Sequence, residues 1–125
     1  MSYRSPLGAA RGLGSAKSGT GHWMAQRLTA VAMIPLTLWF VWSLLCMADA
    51  SHEEMTLWLS TPLAATLMCA YALILFYHAA LGLQVVIEDY VGGAARLVSI
   101  VAVKLLAALG ALACVVSVLL MAIGN

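Results

Sequence analysis

Charged residues are scarce in this chain: Asp, Glu, Lys and Arg make up 9% of its 125 residues, whereas 64% of the residues are hydrophobic. A soluble domain of this length buries only part of its surface, so it could not hide so much apolar side chain from water. The charges also avoid the apolar stretches, with the clear exception of Lys104. The composition therefore excludes a soluble protein and predicts a protein that spans a lipid bilayer.

Cysteine is also sparse, with three residues that lie far apart, each in an apolar stretch. No CxxC or CxxCH spacing occurs, so neither a zinc site nor a covalently attached c-type haem is supported. Nucleotide-binding and zinc-protease motifs are missing as well. These absences indicate a chain without a complete active site of its own, and no nucleic-acid partner is expected.

Three long apolar runs define the predicted fold. They cover residues of about 23–47, 59–87 and 97–123. Each run is longer than the roughly 20 residues with which a helix crosses a ~30 Å hydrocarbon core, and none has the alternating pattern of a barrel strand. We therefore predict an all-α membrane protein. A flexible basic tail, residues 1–22, precedes a three-helix membrane anchor domain, residues 23–125.

The basic residues predict the orientation of the chain. The first 27 residues contain no acid but four basic residues, Arg4, Arg11, Lys17 and Arg27. The segment 48–55 has three acids and no basic residue, and Arg96 lies on the side of the tail. By the positive-inside rule, the N-terminus and the loop 88–96 are cytoplasmic and the C-terminus is periplasmic. The tail either attracts anionic lipid or lies against a soluble partner. The lack of a convincing presequence favours a bacterial inner membrane over a mitochondrial one.

His78 is the strongest candidate for a functional residue, because it lies near the middle of the second run. An ionisable side chain is costly in hydrocarbon, so it is expected to face protein, water, an ion or a cofactor. A neutral imidazole there either binds a haem iron or hydrogen-bonds a neighbouring helix. Gly82 and Asp89 follow on roughly the same helical face, and the glycine leaves a gap that a flat macrocycle could approach. His22 and His52 lie outside the runs and are poorer candidates.

The segment around His78 resembles a known family. Residues 78–90 read HAALGLQVVIEDY, with a glycine four residues after the histidine and an Asp-Tyr pair eleven and twelve residues after it. This segment is similar to that of the D-type membrane anchor of succinate dehydrogenase, respiratory complex II. The segment 19–30, GTGHWMAQRLTA, in which an arginine is followed by Thr-Ala, is similar as well. The resemblance covers essentially the whole chain, but it depends mainly on residues 78–90 and on Arg27.

The resemblance implies roles for four residues. His78 matches the axial ligand of a haem b, whose other axial histidine comes from the C-type anchor subunit. Tyr90 matches a tyrosine that hydrogen-bonds a ubiquinone carbonyl, Asp89 matches a carboxylate at the same quinone site, and Arg27 matches an arginine near the haem propionates. Read from the residues alone, Tyr90 could instead be an interfacial tyrosine, Asp89 a solvated loop acid or a helix-end contact, and Arg27 a topogenic charge.

The implied function is that of a membrane anchor subunit of succinate:ubiquinone oxidoreductase, in the tricarboxylic acid cycle and the respiratory chain. Such a chain is non-catalytic alone, and it assembles with the C-type anchor, an iron–sulfur subunit and a flavoprotein subunit. Two alternatives stay open. One is an anchor of a quinol:fumarate reductase, and the other is a non-redox assembly or transport subunit in which His78 only hydrogen-bonds a neighbouring helix.

Overall fold

The computed structural model describes residues 19–124 together with Leu7, and within that part of the chain the regular structure is entirely helical. Within residues 19–124 there are four helices: α1 (Gly19–Cys46), α2 (His52–Leu59), α3 (Pro62–Tyr90) and α4 (Gly93–Ile123). Helices α1, α3 and α4 are each long and apolar enough to cross a membrane. The prediction of an all-α protein with three transmembrane helices is confirmed.

The ends of the helices differ from the predicted ones. Helix α1 includes residues 19–22, which the sequence placed in the tail before the first span. Helix α3 continues to Tyr90 and α4 begins at Gly93, which reduces the expected loop to two residues. Hydropathy marks the stretch that lies in lipid, whereas helical hydrogen bonds propagate past it once the helix has formed. The predicted tail before Gly19, apart from Leu7, lies outside the described residues.

The short helix α2 was not predicted, although its first residues contain a capping signal. The Ser51 hydroxyl accepts a hydrogen bond from the Glu54 backbone N–H, and the Glu54 carboxylate accepts one from the Ser51 backbone N–H at 2.7 Å. These two bonds form a capping box, which satisfies backbone donors that a helix start leaves free. The Ser51 backbone N–H and hydroxyl both donate to the Glu54 carboxylate, and these bonds hold the pKa of Glu54 below its ordinary value. Trp58 of α2 stacks on Trp39 of α1, with 6.0 Å between ring centroids.

Helix α3 is the central element, and both α1 and α4 pack against it. Helix α1 runs antiparallel to α3, since Gln26 and Thr37 of α1 contact His78 and Tyr71 respectively. Small residues permit the close approach of these helices, which in lipid associate by packing and hydrogen bonding. They include the buried residues Ala64, Ala72, Ala80 and Ala111.

Gly110 of α4 lies directly against the ring of Phe76 of α3. A Cβ added at Gly110 would be 2.5 Å from a carbon of that ring, which is closer than real contacts allow. The glycine therefore lets α4 reach α3 two residues before His78, at the level of the candidate site.

The turn between α3 and α4 is closed by two local features. Gly93 has a φ of +62°, a left-handed conformation that favours glycine because it has no Cβ. Arg96 donates a hydrogen bond from Nε to the backbone carbonyl of Val91 at 2.9 Å. Together they fix the end of the bundle that contains Gly19, Tyr90 and Gly93, which we call the amino-terminal end.

Candidate functional site

His78 faces α1, and both of its ring nitrogens contact polar side chains of that helix. Nδ1 lies 2.8 Å from the Thr29 hydroxyl, and Nε2 lies 3.3 Å from the Gln26 side-chain nitrogen. Gln26 and Thr29 are three residues apart, so they lie on the same face of α1. The imidazole is half-buried between the two helices. The interhelical hydrogen bond that the sequence offered as an alternative to a ligand role is therefore present.

Gln26 and Thr29 are functional candidates that the sequence analysis did not single out. The available signal was their polarity: they are two hydrogen-bonding side chains at i, i+3 spacing near the start of a span. Such side chains usually find a partner on a neighbouring helix. Only the packing of α1 on α3 identifies that partner as His78.

Gly82 lies beside Gln26 of α1, and it also lines a cavity between α1 and α3. A Cβ added at Gly82 would lie 3.6 Å from the Gln26 side-chain nitrogen, an ordinary van der Waals contact. Gln26 thus lies next to the glycine without filling the cavity there, because α1 packs on the same face of α3 that carries His78. The approach of a flat macrocycle at Gly82 stays a prediction.

Two buried polar atoms of α1 have no hydrogen-bond partner within the described part of the chain, His22 Nε2 and Gln26 Oε1. They are four residues apart, so they lie on the same side of the helix. His22, Gln26, Gly82 and Glu88 are among the residues that line a cavity of about 610 Å³ between α1 and α3. Buried polar groups are normally paired, so the amino-terminal end of this interface has unused hydrogen-bonding capacity. His22, a poor candidate by sequence, is part of it.

The residues around His78 fit a haem that takes one ligand from this chain. Among the described residues, no group of three or more His, Cys, Asp or Glu side chains could hold a metal ion. Metal-bound imidazoles usually hydrogen-bond through their second nitrogen, and the Nδ1 contact to Thr29 provides such a bond. At Nε2 the competing partner is Gln26, whose amide oxygen is unpaired. To bind iron through Nε2, His78 would therefore have to give up only its long contact of 3.3 Å with the Gln26 side-chain nitrogen.

Arg27 follows Gln26 on α1 but takes no part in the contacts of His78. Successive helical residues point about 100° apart, and the Arg27 side chain is exposed. Its guanidinium carbon lies 5.5 Å from the centroid of the Trp23 ring, in a cation–π contact. The guanidinium is thus available at the surface of α1 near the amino-terminal end.

Asp89 and Tyr90 are the last two residues of α3, about 16–18 Å along the helix axis from His78. Both side chains are exposed, Tyr90 by 85%. Neither makes a side-chain hydrogen bond within residues 19–124, whereas the neighbouring Glu88 accepts one from Gln84 at 2.7 Å. The structure therefore places Asp89 and Tyr90 together at the end of the bundle, apart from His78.

Comparison with known proteins identifies the family of the chain. The family described as "Succinate dehydrogenase/Fumarate reductase transmembrane subunit" matches residues 1–120. The succinate dehydrogenase hydrophobic membrane anchor subunit of Rickettsia bellii is 36% identical over 118 residues, which cover 93% of this chain and 94% of that protein. The corresponding subunit of Paracoccus denitrificans is 32% identical over 101 residues, covering 81% and 78% of the two chains. No solved structure matches the chain. The chain belongs to the family of succinate dehydrogenase hydrophobic membrane anchor subunits.

Proposed function

We propose that this subunit supplies one axial ligand of a haem b and part of a ubiquinone site in a succinate:ubiquinone oxidoreductase. The observation that carries the proposal is the environment of His78. Its Nδ1 is paired with a hydroxyl at 2.8 Å, whereas its Nε2 has only a long contact to an amide. An imidazole held through one nitrogen in this way is suited to bind iron through the other.

When bound between two imidazoles, a haem b accepts and donates single electrons without an open coordination position. On the side of this chain, His78 Nε2 would bind the iron, and the second histidine would come from the C-type anchor subunit. Arg27 would pair with the propionates, because its guanidinium is exposed on the same helix as Gln26, one residue further on. Arginine suits this role since its planar fork matches a carboxylate.

Asp89 and Tyr90 would contribute to a quinone pocket that other subunits complete. The conversion of ubiquinone to ubiquinol takes up two electrons and two protons. The Tyr90 phenol can donate a hydrogen bond to a quinone carbonyl without bringing a permanent charge to it. The Asp89 carboxylate next to it can attract protons to the pocket. Their exposure at the end of α3 supports this role, because a pocket at the junction of subunits needs side chains that the single chain leaves free.

We infer that the amino-terminal end of the bundle faces the cytoplasm and that the membrane is a bacterial inner membrane. The basic residues before α1 and Arg96 after α3 support this orientation. The iron–sulfur and flavoprotein subunits would then dock on the same end as Tyr90. Succinate oxidation is favoured over fumarate reduction because the relatives from Rickettsia bellii and Paracoccus denitrificans are both named for succinate dehydrogenase.

The ligand assignment is tested by replacing His78 in the intact complex. A dithionite-reduced minus oxidised spectrum of the purified complex is expected to contain a b-type haem that His78→Ala abolishes or alters. The matched control is His52→Ala, since His52 is exposed at the start of α2. An unaltered haem spectrum in His78→Ala would contradict the proposal and leave His78 as an interhelical contact alone.

A further inference from the structure

The Thr29 hydroxyl lies between His78 and the backbone of α1. Its oxygen is 2.8 Å from His78 Nδ1, 2.8 Å from the Ala25 carbonyl oxygen and 3.1 Å from the Gln26 carbonyl oxygen. A hydroxyl has one hydrogen to donate and two lone pairs that accept. It can therefore donate to a carbonyl and at the same time accept from the imidazole, or it can donate to the imidazole itself.

Binding of a metal at Nε2 selects between these two arrangements. A neutral imidazole has a single N–H group, and a nitrogen that ligates iron has no hydrogen. With Nε2 on the metal, the hydrogen of His78 must be on Nδ1, so Nδ1 donates to Thr29 Oγ1. The Thr29 hydroxyl then donates to the carbonyl of Ala25. The resulting chain of two hydrogen bonds joins the ring on α3 to the backbone of α1.

From this geometry we propose that Thr29 is a positioning residue for the haem ligand. It fixes the tautomer and the ring orientation of His78, and it lowers the reduction potential of the haem. The inference depends on the proposed function, because it requires His78 to bind the iron. Thr29 contacts the proposed ligand, His78, and would not contact the iron itself.

The effect on the potential has a direct electrostatic cause. A hydrogen bond donated by Nδ1–H moves electron density towards Nε2 and makes it a more basic ligand. A more basic ligand stabilises ferric iron more than ferrous iron, so the potential falls. The second bond, from the hydroxyl to the Ala25 carbonyl, strengthens the first one because linked hydrogen bonds polarise each other. Thr29 and His78 are both half-buried, which limits screening by water.

The test replaces Thr29 in the intact complex and measures the midpoint potential of the haem by spectroelectrochemical titration. Thr29→Val keeps the shape of the side chain but has no acceptor. At a fixed ambient potential it is expected to raise the ferrous-to-ferric ratio by at most about fivefold, the limit reached if the whole net strength of an ordinary hydrogen bond acts on ferric iron alone. That ratio corresponds to about 40 mV, at 59 mV per tenfold for one electron. Thr29→Ser is expected to restore the parent potential.

The matched control is Thr37→Val, on the same helix. The Thr37 hydroxyl donates to the Tyr71 hydroxyl at 3.5 Å and does not contact His78. This variant is expected to leave the potential unchanged. The low-temperature electron paramagnetic resonance spectrum of the ferric haem provides a second readout, since its g values respond to hydrogen bonding of the axial imidazole.

The two proposals fail in different ways. If His78→Ala retains an unaltered haem spectrum, the ligand assignment itself is wrong. If His78→Ala loses that spectrum while Thr29→Val leaves both the potential and the g values unchanged, only the role of Thr29 is overturned. Should Thr29→Val not assemble, Thr29→Cys replaces it, because sulfur is a weak acceptor and is expected to give a smaller shift in the same direction. An unshifted potential in Thr29→Cys would then overturn the role.

Discussion

The two ends of this bundle are held together by different physics. At the amino-terminal end, α1 and α3 are joined by hydrogen bonds that His78 makes with Gln26 and Thr29, and two buried polar atoms have no partner among the described residues. At the opposite end, α1, α2, α3 and α4 enclose an apolar cavity of about 240 Å³, and its lining includes Met47, Met55, Met68 and Met121. Methionine fills irregular space without directional demands. Directional contacts therefore lie where the proposed cofactor would bind, and adaptable packing lies where only cohesion is needed.

The largest effect is expected from two substitutions, one that places a polar side chain at the apolar end and one that places an apolar side chain at the amino-terminal end. Met68→Gln would place an amide against the apolar cavity, where an unpaired polar group costs about 2 kcal/mol. Gln26→Leu would remove an amide whose oxygen is already unpaired, so it is expected to cost at most about 1 kcal/mol. The melting temperature of the purified complex should therefore fall more for Met68→Gln.

The haem spectrum should respond in the opposite order. Gln26→Leu changes the surroundings of His78 Nε2, whereas Met68→Gln is remote from them. Equal losses of stability, or a haem spectrum that changes only in Met68→Gln, would contradict the division of the bundle into a polar and an apolar end.

Tyr90→Phe tests whether the amino-terminal end has a quinone role that is distinct from the haem role of His78. Loss of one hydrogen bond to the quinone is expected to slow quinone reduction about tenfold. Succinate oxidation with an artificial dye should stay unchanged, because the dye does not require the quinone pocket. Tyr77→Phe is the control, since Tyr77 is another exposed tyrosine of α3. An equal decrease of both activities in Tyr90→Phe would indicate misassembly instead of a quinone role.

The smallest expected effect concerns the capping box of α2 at the apolar end. Because hydrogen bonds from Ser51 lower the pKa of Glu54 in the folded chain, the cap is fully present above the ordinary carboxyl pKa of about 4.3. It is lost as the pH falls through the lower folded-state pKa of Glu54. Hydrogen exchange of the peptide 51–60 should therefore report faster opening of α2 at acidic pH.

Glu54→Gln is expected to remove this pH dependence. Glu53→Gln should preserve it, because the neighbouring Glu53 side chain makes no hydrogen bond to Ser51 within the described residues. A pH dependence of exchange that persists in Glu54→Gln would exclude the capping box as its cause.

The sequence predicted the spans better than their ends. The three apolar runs correspond to α1, α3 and α4, because the length and hydropathy of a span are dictated by the bilayer. Helix α2 was missed although Ser51 and Glu54 have capping-box spacing, because eight polar and apolar residues between two spans also suit an irregular loop. At the site, His78 was identified because an ionisable side chain is costly in hydrocarbon, but its hydrogen-bond partners were not identified.

By itself the sequence determined that this is a three-span membrane protein with one histidine deep in a helix, and its residues 78–90 indicated the family. These properties depend on composition and on local spacing, which a single helix already expresses. Only the tertiary structure decided that Gln26 lies beside Gly82 and that Thr29 reaches the second nitrogen of His78. Those contacts join residues about fifty positions apart, and they depend on how two helices are rotated against each other, which no local pattern encodes.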